Sequence, residues 1–185
     1  MVTAAERGRE VRQRLLSAAA ELIAERGWSA VSTRLLAERA GVAGGLVHYH
    51  FPSLRALLSE AAIAVFRQVA GQLDAVLAEA ATPQDAVDRL LGGLDEYSGR
   101  DPVSLLFVET YLAATRDPAL AAAVAAVVAD VRGRFADWLA AQSVPAPADT
   151  AATVVAAIDG VMLHRALDPG LTAAVVAPVL GRSVR

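Results

Sequence analysis

No cysteine occurs in the 185 residues. Disulfides, thiolate nucleophiles and cysteine-ligated zinc or iron–sulfur centres are thereby excluded. Lysine is also absent, so all 17 basic residues are arginine. Aromatic residues make up only 5%, so bulky rings cannot dominate the interior. The chain has no uncharged apolar stretch of the roughly 18 residues that a membrane span needs. The run from Pro118 to Ala129 is too short. Residues 1–14 are charged, and Glu21, Glu25 and Arg26 interrupt the apolar residues that follow. A secretory signal is therefore not expected, and neither is a membrane partner. A cytoplasmic location follows as the simplest expectation.

Catalytic patterns are missing too. There is no Gly-x-Ser-x-Gly, no phosphate-binding P-loop and no dinucleotide-binding glycine pattern. The Glu-x-x-His pair of di-iron bundles is absent, because Gly45, Val47 and Val161 stand three residues before the histidines. His48 and His50 are two residues apart and point to different sides of a helix, so they cannot chelate one ion together. No enzyme activity, metal site or cofactor is expected.

What remains is rich in alanine, leucine and valine, with 55% hydrophobic content and a mean hydropathy of +0.42. Ala and Leu favour helices, and the apolar content suffices to fold. The fold class expected is all-α, with about nine helices delimited by Gly, Pro and capping residues and no strand. Leu15, Leu16, Ala19, Leu22 and Ile23 lie on one helix face, and Gly27 stops that helix. Ser32 or Thr33 caps a second helix, Arg34 to Ala40, which ends at Gly41. A third, short helix runs from Gly44 to His50. Longer helices follow over 54–80, 83–97, 102–115, 118–142, 149–167 and 171–180, the penultimate one capped by Asp149 or Thr150.

Charge is unevenly spread. Residues 1–55 carry eight arginines against five glutamates, a net +3, whereas residues 56–185 carry nine arginines against fifteen acids, a net −6. A basic head on an acidic body suits a small DNA-binding domain. Two short helices joined by a glycine turn form a helix-turn-helix pattern within residues 11–51. In the third helix Val47 and Phe51 are spaced to face the core. That leaves Leu46, His48, Tyr49 and His50 around the rest of its surface for base edges or phosphates. Thr33 and Arg34, at a helix start, suit phosphate contacts. Arg7, Arg9, Arg12 and Arg14 are either a solvated tail or a basic arm.

The segment STRLLAERAGVAGGLVHYHFPSLRALL, residues 32–58, resembles the TetR family of bacterial regulators in its LAERAGV, LVHYHF and ALL elements. The ERGW at residues 25–28 and the AAIDGVMLHRALDP at residues 156–169 are similar as well. The resemblance implies a DNA-binding head over residues 1–53 and a helical effector-binding and dimerisation domain over residues 54–185. It implies DNA contacts from Ser32, Thr33, Arg34, Ala43, Gly44, Gly45, Leu46, His48, Tyr49, His50 and Arg55. An effector, apolar and small if there is one, would meet Phe66, Phe107, Glu109, Thr110, Tyr111 and Trp138. Homodimers would form through residues 149–180 and read a palindromic double-stranded operator, most often as a repressor.

This sequence departs from the family pattern in three places. Ala43 stands where a capping Ser, Thr or Asn is common, Gly44 where a polar or basic residue is common, and Leu54 in place of a frequent Lys. Arg55 is then expected to replace that lysine's phosphate contact. Gly44-Gly45 weakens the third helix, which is expected to be soft until it meets DNA. The alternative from another class is a helical dimer that binds proteins or small molecules and carries a degenerate head.

Overall fold

The computed structural model describes residues 3–184. Among them are ten α-helices and no strand: α1 (Ala4–Arg26), α2 (Thr33–Ala40), α3 (Gly44–His50), α4 (Leu54–Ala70), α5 (Leu73–Glu79), α6 (Pro83–Gly93), α7 (Pro102–Ala114), α8 (Pro118–Ala141), α9 (Pro147–Arg165) and α10 (Ala173–Leu180). Short 3₁₀ turns occupy Trp28–Ala30, Leu94–Glu96 and Gly181–Val184.

The chain forms two compact units. One is built from the chain up to Phe66 together with Leu105–Ala123, and the other from Arg67–Ser104 together with the chain from Val124 onward. In the first unit the stripe of α1 is buried as its spacing requires: Leu15, Ala19 and Ile23 are fully inaccessible. Leu36, Val47, Phe51, Leu57, Phe66, Leu106 and Leu120 are buried in the same unit. The second unit has its own core of Leu73, Leu77, Val87, Leu91, Phe135, Leu139 and Val154.

Besides smaller shifts, such as α6 ending at Gly93 short of residue 97, four boundaries differ from those the sequence suggests. First, α1 starts at Ala4, so Arg7, Arg9, Arg12 and Arg14 lie on a helix and not on a tail. Thr3 and Glu6 make a reciprocal capping box there, with Thr3 N–H donating to Glu6 at 2.6 Å. Second, the helix expected over 54–80 breaks at Gly71 and Gln72, which brings the helix count to ten. Glycine weakens the helix at that point, and Arg134 takes up the Ala70 carbonyl at 3.1 Å while pairing with Asp74 at 2.9 Å. Third, α9 begins at Pro147 and not at Asp149 or Thr150. Proline's fixed φ sets the first turn, and Thr150 turns inward to donate to the Pro145 carbonyl. Fourth, α10 begins at Ala173, whose N–H is capped by Asp95 from 78 residues away.

Within Leu54–Glu79 an 18-residue window reaches a mean hydropathy of 1.3, and a third of that window is buried within the fold. Leu57, Leu58, Ala61, Ala62 and Ile63 supply buried positions, while Arg55, Glu60, Arg67 and Asp74 interrupt it with charge.

Candidate nucleic-acid interface

The turn between α2 and α3 is fixed by local chemistry. Ser32 caps α2, accepting from Leu35 N–H at 3.3 Å. Gly41 closes α2 in the left-handed region at φ 63°, which a side chain would strain. The N–H of Gly41 donates to the Glu38 carbonyl and that of Val42 to Ala37. These paired bonds are a Schellman stop. They turn the chain tightly, so that α3 begins only two residues beyond.

On α3 only Val47 is fully buried, and Phe51 follows it into the core. Leu46 and His50 are half-buried, and Ala43, Gly44, Gly45 and His48 are exposed. Tyr49 is 80% exposed, an unusual position for an aromatic ring with no partner from the core. Its ring meets His50 edge-on at 5.0 Å. No side chain caps α3, because Ala43 stands at its N-cap. Ser32 and Arg34 are exposed at the start of α2 and Thr33 is half-buried. Chain order therefore places these candidates on two successive helix starts and one exposed helix surface.

The arginines of this unit divide into committed and free. Arg39 holds Glu25 through two nitrogens, at 2.9 and 2.6 Å, and Glu21 at 3.0 Å. That bond to Arg39 is the main reason the Glu25 carboxyl lies below the ordinary carboxylate range. Arg12 lies over the Phe51 ring at 4.7 Å and bonds Glu60 at 2.6 Å, so it braces the end of α3. Among the described residues Arg7, Arg9, Arg14 and Arg34 enter no ion pair and remain open to an anion.

Arg55 has a partner that sequence reasoning missed. Its Nε donates to Asp117 at 2.5 Å, and a second nitrogen pairs with the other oxygen of the same carboxylate. Asp117 also accepts from Ala119 and Leu120 N–H at 3.0 and 3.1 Å, capping α8. Arg55 first, and then the Leu120 N–H, hold its carboxyl down at about 2. The only signal in the sequence is Asp117-Pro118, which marks a helix start and says nothing of a distant arginine.

The six candidate effector contacts do not share one environment. Phe66 stacks face to face on Phe107 at 3.8 Å, and Tyr111 meets Phe66 edge-on at 5.8 Å. Thr110 is fully buried, its hydroxyl donating to the Leu106 carbonyl of its own helix. Glu109 accepts from Trp28 N–H at 2.8 Å. Trp138 belongs to the other unit, where it packs near Phe135 at 6.4 Å.

Two family models match the chain. One, described as bacterial regulatory proteins of the tetR family, covers residues 15–67. The other, a tetracyclin repressor-like C-terminal domain, covers residues 81–185. The transcriptional repressor KstR of Mycolicibacterium smegmatis is 33% identical over 98 residues, which are 53% of this chain and 48% of that one. The regulator CymR of Pseudomonas putida is 30% identical over 118 residues, 64% and 58% of the two chains. The chain thus spans about half the length of these relatives. A protein from Streptomyces coelicolor A3(2), described as a transcriptional regulator, superposes with a TM-score of 0.78 at 32% identity over 95% of this chain and 98% of its own. The multidrug binding protein EbrR, solved with malachite green, gives 0.68 at 29% identity over 94% and 98%.

Proposed function

Because this chain belongs to the tetR family of bacterial regulatory proteins, we propose that it is a dimeric, DNA-binding transcriptional repressor of the cytoplasm. The observation that carries this reading is Tyr49, 80% exposed on the second helix of a tightly turned helix-turn-helix. Burying so large a ring against DNA offsets the cost of leaving it in water. Its hydroxyl reaches a base edge or a phosphate, with His48, His50 and Leu46 beside it on α3 and Ser32, Thr33 and Arg34 on α2. The exposed backbone at Ala43, Gly44 and Gly45 permits close approach to the duplex. Residues 1–53 then act as the reading head and residues 54–185 as the effector-binding and dimerising domain.

Dimerisation is supported by an exposed apolar face. Ala156, Gly160, Leu163 and Leu167 recur at helical spacing along α9 and just past its end, with Leu163 and Leu167 at 53% and 87% exposure. On α10, Val175 and Val179 are each 56% exposed. Large aliphatic side chains left in water at that spacing fit a partner helix pair. Two-fold symmetry would present two heads to a palindromic operator.

An effector that prefers one arrangement of the heads shifts the population away from the DNA-binding state. EbrR was solved with malachite green, a bound small molecule. A small apolar effector here would enter against Phe66, Phe107 and Tyr111, opening their stack. Glu109 and Thr110 already have partners within the protein.

The test is binding to duplex DNA from the gene's own upstream region at two salt concentrations, for the wild type and Tyr49→Ala. Saturable binding that weakens as salt rises and is lost in the variant supports the reading. Failure to bind either that DNA or a randomised duplex pool favours a degenerate head, for which uncapped α3 and its two glycines already speak.

A further inference from the structure

Arg55 stands in the first turn of α4, immediately after the helix-turn-helix, yet its guanidinium is turned to Asp117 and not to solvent anions. The two members of this pair are unequally held. The Asp117 side chain is 11% exposed and bonded by two backbone N–H groups at the start of α8, whereas that of Arg55 is 62% exposed. Asp117 is therefore fixed and Arg55 is the member free to leave. A crevice of about 190 Å³, lined by Trp28, Ser29, Arg55, Glu109, Arg116 and Asp117 among others, gives the guanidinium room to move. Its departure leaves Asp117 at the positive end of a 24-residue helix, where a lone carboxylate is still stabilised.

We propose that Arg55 is exchanged between Asp117 in the free protein and a DNA phosphate in the complex, so that Asp117 restrains the strength and salt dependence of DNA binding. This rests on the DNA-binding reading above. The start of α4 favours the exchange. Ser53 takes up the Ala56 and Leu57 N–H groups, and the first-turn dipole beside Arg55 attracts an anion. Arginine's planar fork binds phosphate as well as it binds carboxylate. With Arg55 on it the Asp117 carboxyl is held far below neutral, so a competing anion, and not protonation, drives the exchange at neutral pH. Once Arg55 leaves, the bare carboxylate recruits a cation and cancels one counterion that the docked phosphate would otherwise release.

The experiment compares wild type, Asp117→Asn, Arg55→Gln and the double variant on one duplex across 50–200 mM salt. Asparagine is itself a good helix cap, so Asp117→Asn removes the charge and keeps the start of α8. The variant is expected to bind more tightly than wild type at 50 mM. Its log–log salt slope should be steeper by about 0.9 per protomer, an extra loss of about 3.5-fold between the two salts. Arg55→Gln should bind more weakly than wild type, and in its background Asp117→Asn should gain nothing. A gain of equal size in both backgrounds would mean a long-range charge effect and overturn the proposal. So would weaker binding by Asp117→Asn, or an Arg55→Gln variant equal to wild type. Should Asp117→Asn fold poorly, Asp117→Ser, likewise an uncharged helix cap, replaces it with the same expected gain, and binding weaker than wild type overturns the proposal. If the wild type binds no DNA at all, the DNA-binding reading itself fails.

Discussion

At the scale of single residues, two positions have consequences out of proportion to their size. Gly99 has φ 78°, and a Cβ at this position would collide with the backbone nitrogen of Ala166. Substitution meets both left-handed strain and a backbone clash that cannot relax by a side-chain rotation. Gly99→Ala is expected to cost about 2 kcal/mol or more, read as a lower urea midpoint at unchanged slope. Asp117 governs an acid response. Its folded-state carboxyl lies at about 2, below the ordinary 3.8, chiefly through Arg55. The pair's stability is thus fully present above about pH 3.8 and lost as pH falls toward 2. An acid titration by circular dichroism should show a shallower loss of stability between pH 4 and 2 in Asp117→Asn than in wild type.

At the scale of elements, α3 is the weakest in intrinsic terms. Ala43 offers no cap, and Gly44 and Gly45 both lie inside the helix. A Cβ at either glycine meets nothing within 4 Å, so both are glycine without packing need. Gly45→Ala should stiffen the helix by about 1 kcal/mol, and Ala43→Ser should add about 1 kcal/mol through a cap. Hydrogen exchange is the measurement. Amides of residues 44–50 are expected to exchange fast in the free wild type and several-fold more slowly in the double variant. Strong protection already present in the free wild type would contradict a helix that firms up on DNA. The other helix starts show where local reading holds. Thr82 caps α6, accepting from Asp85 N–H at 3.1 Å, as its Thr-Pro pair suggests. By contrast α10 has no cap of its own and borrows Asp95.

For the whole molecule, the proposed function depends on a second copy. The proposed dimer buries Leu163, Leu167, Val175 and Val179, which the single chain leaves exposed. Leu163→Glu with Val179→Glu places two carboxylates in that face, where an unpaired charge is costly to desolvate. Sedimentation equilibrium should show wild type at twice the 19.2 kDa chain mass and the variant at the single mass. Operator affinity should fall with it, because a lone head reads only half a palindrome. Retention of the dimer would move the interface elsewhere.

Local chemistry determined most of the helices and the helix-turn-helix. The stripe from Leu15 to Ile23, the Ser32 cap, the Gly41 stop and the inward spacing of Val47 and Phe51 all depend on neighbours within a turn or two. The sequence alone therefore suffices to place them. Which α3 residues are proposed for DNA was legible for the same reason, since exposure on α3 follows from what Val47 and Phe51 bury. Only the tertiary structure decided the rest. Arg12 on Phe51, Arg39 between Glu21 and Glu25, and Asp95 on α10 join residues from separate elements. Arg55 and Asp117 are 62 residues apart. Charge pairing is set by which surfaces the cores bring together, and periodicity along one helix carries no record of which distant carboxylate will face a given guanidinium.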